Sequence, residues 1–188
     1  MKWSRVLVLA VLLALVTACG DDGPAGTLSE DDVSQSATLK TRDRIANQVV
    51  CRAIDDAEDA IMDATIRTDD EKPSVVFDLE GDEWVDNSVW VVSNPDDAVA
   101  AVGAGVESCA QEYPETYRPV ELTDDFPGAV GYEATEGDPA LHTRRILVPL
   151  DDRVVVVGVR RGGDDSYSVA PEDLLADAVR AAADAPRP

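Results

Sequence analysis

The chain has 188 residues, with 16 Lys or Arg set against 38 Asp or Glu, for a formal net charge of −22 at pH 7. Nucleic acid and anionic lipid headgroups both require clustered Lys and Arg, so this surplus of carboxylates argues against either as a docking partner. The length suits one compact domain with a sizeable core.

Lys2 and Arg5 precede an unbroken apolar run from Val6 to Val16, and Val16-Thr17-Ala18 puts small residues directly before Cys19. Positive charge, apolar run and small residues in that order predict a secretory signal over residues 1–18. A spanning helix needs about 20 apolar residues, so this run is too short to remain in the membrane as an anchor. The tetrapeptide V-T-A-C resembles the lipobox of bacterial lipoproteins. That resemblance implies that the Cys19 thiol receives a diacylglycerol and that the new amino terminus is acylated. Each buried methylene contributes about 0.8 kcal/mol and one acyl chain holds a protein only marginally, so two or three chains on one residue make a stable anchor. The expected location is the extracytoplasmic face of the cell membrane, with the lipid bilayer as partner through acylated Cys19. Residues 19–27 continue as Gly, Asp and Pro with almost nothing to bury, which predicts a flexible tether.

The domain is expected over residues 28–185, followed by a tail at 186–188. Ser29 with Asp32 three residues on has the form of a capping box opening a short first turn. Apolar residues recur at Ile45, Val49, Ala53, Ala57 and Ile61, with Val50 and Ile54 beside them. The spacing predicts an amphipathic helix over 40–64, with Asp55, Asp56, Asp59 and Asp63 turned outward. Two strands, Val75 to Leu79 and Trp84 to Val92, are expected around a Glu80-Gly81-Asp82-Glu83 loop. Asn94 as cap, Pro95 in the first turn, and Asp96 and Asp97 at the positive end of the dipole then open a second long helix. Val99, Val102, Val106 and Cys109 share its buried side, and Gly103-Ala104-Gly105 is expected to let it approach the sheet closely.

Short strands are expected at Val120 to Leu122 and Ala129 to Thr135. Arg145 to Pro149 and Arg153 to Arg160 then form a hairpin around Leu150-Asp151-Asp152. Four successive valines, Val154 to Val157, mark a central strand covered on both faces. Pro171-Glu172-Asp173 opens a last helix whose apolar side carries Leu174, Leu175, Ala178, Val179 and Ala182. The fold class is therefore α+β: one domain, a mainly antiparallel sheet and about three helices. With Cys19 committed to lipid, Cys51 and Cys109 remain as a pair in an exported chain, each on the core-facing side of a helix, and are predicted to be bonded. Closing a loop of about 58 residues would contribute about 4 kcal/mol on the chain-entropy account.

Catalytic and metal chemistry find little support. His142 is the single histidine, too few for a zinc site once the cysteines are engaged. No serine stands in a Gly-x-Ser-x-Gly turn, no phosphate-cradling loop follows a strand, and the many Asp pairs lack the alternating spacing of a calcium loop. No enzyme activity, cofactor or metal is expected. Trp90 reads as core. Trp84, Tyr132, Arg145 and Arg160 are the residues expected to line a ligand groove. Arg144-Arg145 and Arg160-Arg161 are strong basic clusters that either receive an anionic ligand or balance neighbouring aspartates.

The run from Val89 through Asn94-Pro95-Asp96-Asp97 to Cys109, followed by strands, by R-V-V-V-V-G-V-R and by a last helix, resembles the PknH-type extracellular sensor domain. That family includes many actinobacterial lipoproteins. The resemblance spans residues 74–185 and implies a sheet-and-helix domain with a cleft for an unidentified ligand. Two functions follow as expectations: a non-catalytic ligand-binding or sensor module of the cell envelope, or a scaffold lipoprotein acting through its acidic surface on another envelope protein.

Overall fold

The computed structural model describes residues 24–34, 36–41, 51–64, 73–122, 124–137, 140–163 and 167–186. The expected signal, Cys19, the first part of the tether and residues 42–50 of the expected 40–64 helix lie outside the described residues. No described helix is long and apolar enough to cross a membrane. Pro24 to Thr27 form a turn in which Thr27 donates to the Pro24 carbonyl, and Leu28 is fully buried. Helix α1 (Glu30–Val33) starts with the expected capping box, the Asp32 carboxylate accepting from the Ser29 amide at 2.8 Å and the Ser29 hydroxyl at 2.7 Å.

Strand β1 (Thr38–Thr41) includes Lys40 and Thr41, which the sequence pattern assigned to the start of a helix. T-L-K-T is too short and polar to declare itself, and its ladder with the next strand supplies what local propensity lacks. Helix α2 (Arg52–Ala64) follows, then the hairpin β2 (Ser74–Leu79) and β3 (Glu83–Val91). Helix α3 (Pro95–Glu112) begins where Pro95 was expected to begin it. Asn94, however, makes no side-chain cap; its amide engages Asp97 instead, and its carbonyl accepts from the Ala98 amide. Next come β4 (Tyr117–Val120), β5 (Val130–Glu136), β6 (Leu141–Leu150), β7 (Arg153–Gly162) and α4 (Pro171–Asp184). Pro119 lies inside β4, where a missing amide costs little because β4 is an edge strand.

The described strands form one antiparallel sheet in the order β1-β2-β3-β7-β6-β5-β4. Strand β7 is central, as its valines imply, and its register alternates them cleanly between the two faces. Val155, Val157 and Val159 join Val85, Ile146 and Val148 beneath Leu174, Leu175, Ala178 and Ala182 of α4. Val154 and Val156 join Trp90 and Leu147 beneath Val99, Val102 and Val106 of α3. Helices α2 and α3 thus cover one face and α4 the other.

The predicted Cys51–Cys109 disulfide is present, with Cα atoms 5.9 Å apart. Both cysteines are buried, and the bond ties the start of α2 to the last turn of α3. A side chain on Gly105 would stand 2.6 Å from the Ala53 carbonyl oxygen, so this glycine lets α2 and α3 touch backbone to backbone. A side chain on Gly103 would begin 3.1 Å from Val130 of β5. Of the two glycines, one serves helix–sheet contact, as expected, and the other serves helix–helix contact.

Candidate functional site

The four residues expected to line a groove share one face of the sheet. Trp84 and Arg160 are register partners across β3 and β7, Arg145 and Tyr132 across β6 and β5, and Gly158 lies between, paired with both Asp86 and Arg145. Helix α2 closes over them and contributes Glu58. Arg145 Nη1 donates to Asp86 Oδ2 at 2.9 Å, and its Nε lies 3.3 Å from Glu58 Oε1. The Tyr132 hydroxyl donates to Glu58 at 3.1 Å. Arg160 Nε approaches Asp86 Oδ1 at 3.8 Å. A side chain on Gly158 would meet that same Asp86 oxygen at 2.5 Å, so a glycine here leaves room for the carboxylate above β7.

Tyr132 and Arg145 are each 1% exposed and Arg160 is 3% exposed, which makes this a closed ion cluster instead of an open groove. Burial, reinforced by the negative charge of Glu58, pushes the Tyr132 hydroxyl well above the ordinary tyrosine range. Burial works against the charge on Arg145, but Glu58 and Asp86 outweigh it and hold the guanidinium more firmly protonated than in water. Half-buried Trp84 stands at the margin, with Lys40 Nζ 6.0 Å from its ring centre. Trp90 is core, as expected.

Adjacent residues of a strand point to opposite faces, so each basic pair is divided. Arg144 meets Glu133 at 3.1 Å and also Glu172 of α4, while Arg161 Nη1 meets Glu83 at 3.1 Å. The arginines therefore meet the chain's own carboxylates, which is the balancing role. His142 lies within β6, which begins four residues before the expected Arg145, with Nδ1 3.1 Å from the Thr135 hydroxyl and Nε2 3.1 Å from the Gly163 carbonyl oxygen. Among the described residues no group of His, Cys, Asp and Glu could hold a metal ion.

The open concavity lies elsewhere. A groove of about 420 Å³ runs between α3 and the connection from β4 to β5. Its α3 wall is Gly103, Val106 and Glu107. The opposite wall comprises Pro119, Val120, Leu122, Asp124, Phe126, Pro127, Gly128, Ala129, Val130 and Gly131. Gly128, at φ +76°, permits the turn that brings the loop back onto β5. Val106, Val120, Leu122, Phe126 and Val130 supply the apolar part of a mixed lining, and exposed Glu107 and Asp124 bring carboxylates to it. A second hollow of about 280 Å³, lined largely by alanine, lies between α2 and the start of α3. Nothing in the local sequence marks the larger groove, because its two walls come from segments joined only by the fold.

No protein-family model matches the sequence, nor does any curated protein. The fold is similar to the crystal structure of the extracellular domain of PknH from Mycobacterium tuberculosis, with a TM-score of 0.52 and 14% identity over 84% of this chain and 93% of that one.

Proposed function

We propose that the chain is a lipid-anchored, extracytoplasmic and non-catalytic ligand-binding or sensor module of the cell envelope. The observation that carries this reading is the fold shared with an extracellular domain along nearly the whole of that domain's length. An internal disulfide fits a protein working in an oxidising compartment. The 420 Å³ groove has the size and the mixed apolar and polar lining of a small-molecule site. Tyr113, at 41%, is the only large hydrophobic side chain exposed among the described residues, so a scaffold role would rest on the acidic surface alone, without an apolar patch beside it.

The anchor is tested on protein extracted gently from its own membrane. Intact-mass analysis is expected to find a product beginning at Cys19 and carrying acyl mass, and Cys19→Ser is expected to release the protein from the membrane fraction. A mature product that starts elsewhere, or one without acyl mass, overturns the anchoring.

A further inference from the structure

Resting on the ligand-binding reading above, we infer that the groove between α3 and the β4–β5 connection selects a small ligand with an apolar body and a cationic nitrogen. The chemistry follows from the walls. Val106, Val120, Leu122 and Val130 offer aliphatic surface to a hydrophobic ring or chain. The charged side chains lining the groove are Glu107 and Asp124, both carboxylates, with no Lys or Arg among the lining residues. Near the turn at Gly128, Asp96 adds a third carboxylate, its Oδ1 3.8 Å from where a side chain on Gly128 would begin. The basic side chains of the sheet are engaged elsewhere, Arg145 with Glu58 and Asp86, and Arg144 with Glu133 and Glu172. An anionic ligand in the groove would face uncompensated carboxylates on a chain already carrying −22. A cation there would answer them.

Three probes of one shape separate charge from shape: 1-naphthylmethylamine, 1-naphthylmethanol and 1-naphthoate. Each is titrated into the full-length protein held in phosphatidylcholine nanodiscs, with empty nanodiscs as blank. The amine is expected to bind about twofold to fivefold more tightly than the alcohol, the range an exposed ion pair supplies, and naphthoate more weakly than either. Raising the salt concentration should narrow the gap. Glu107 is an exposed helix residue, so Glu107→Arg leaves packing untouched and is expected to reverse the order of amine and naphthoate. Ala129→Trp, which adds bulk at the groove wall, should abolish uptake of the amine while leaving the denaturation midpoint near that of the parent. An unchanged order in Glu107→Arg overturns the inference, as does naphthoate binding as tightly as the amine. Equal uptake of all three probes that is lost in Ala129→Trp overturns the charge preference while supporting the ligand-binding reading. Uptake of none of them overturns the groove as the site.

Discussion

The two faces of the sheet hold their helices by different physics. On the α4 side the contact is dry: Val155, Val157 and Val159 meet Leu174, Leu175, Ala178 and Ala182. A polar side chain sits within it and is satisfied there: fully buried Asn87 accepts from the Leu28 amide at 2.9 Å and donates to the Val156 carbonyl at 2.8 Å, and others stand at the edge. Glu83 accepts from the Ser168 amide at 2.9 Å, fastening the loop before α4. Arg153 donates to the carbonyls of Ala182, Ala185 and Pro186 and so satisfies the C-terminal end of that helix. On the other side the dry contact stops halfway. Trp90, Val154, Val156 and Leu147 lie among the apolar residues of α3, but the ground next to them is Asp86, Arg145, Arg160 and Tyr132, closed by Glu58 of α2. Apolar contact is non-directional and weakens by degrees as surface is lost. A buried ion cluster holds only when every partner is present, since the desolvation of each charge must be offset by the others. The attachment of α4 should therefore erode gradually, and that of α2 should fail all at once.

The largest expected effect comes from Arg145→Met, which leaves Glu58 and Asp86 buried without their main cation and should cost about 3–5 kcal/mol in urea denaturation. Adding Glu58→Gln and Asp86→Asn to that variant is expected to recover part of the loss. A cost below about 1 kcal/mol for Arg145→Met would mean the cluster does not fasten α2.

Next is the disulfide. Replacing Cys51 and Cys109 by alanine should cost about 4 kcal/mol on the chain-entropy account. Hydrogen exchange of this variant sharpens the contrast: amides of α2 and α3 should lose protection well before those of α4. Equal loss on both faces breaks the comparison.

The smallest effect is the pH dependence contributed by Tyr132. Its folded-state value is raised, so the native protein keeps the phenolic proton where the unfolded chain has lost it. The stability that this tyrosine contributes is whole below pH about 10 and is lost as the pH climbs further. Tyr132→Phe should cost about 1 kcal/mol at neutral pH. Above pH 10 its denaturation midpoint should fall less steeply than that of the parent protein.

Parts of the charged face were legible. Glu58 stands four residues after Ile54 and three before Ile61, which puts a carboxylate on the apolar stripe of α2, and a charge there calls for a buried partner. Arg144-Arg145 and Arg160-Arg161, placed on strands, must each divide between opposite faces. Which member meets which acid is not local information: it depends on the pairing of Arg145 with Gly158 across β6 and β7, and on α2 lying above. Strand β1 and the strand position of Pro119 were illegible for a related reason, since one depends on its ladder with β2 and the other on having no neighbour beyond it.

Taken alone, the chain determined its valine-rich central strand, the opening of α3 at Pro95, the apolar side of α4 and the meeting of Cys51 with Cys109. The first three are properties of periodicity and residue type that act over a few turns or a few strand residues; the cysteine pair, 58 residues apart, was legible only because two cysteines remained to be joined. Only the tertiary structure decided that the arginines expected to receive a ligand would be closed in with the chain's own carboxylates. It alone also decided that the open groove would form between α3 and a loop remote from them. Burial and charge pairing arise between segments far apart in sequence, and a linear pattern carries the side chains but not their neighbours.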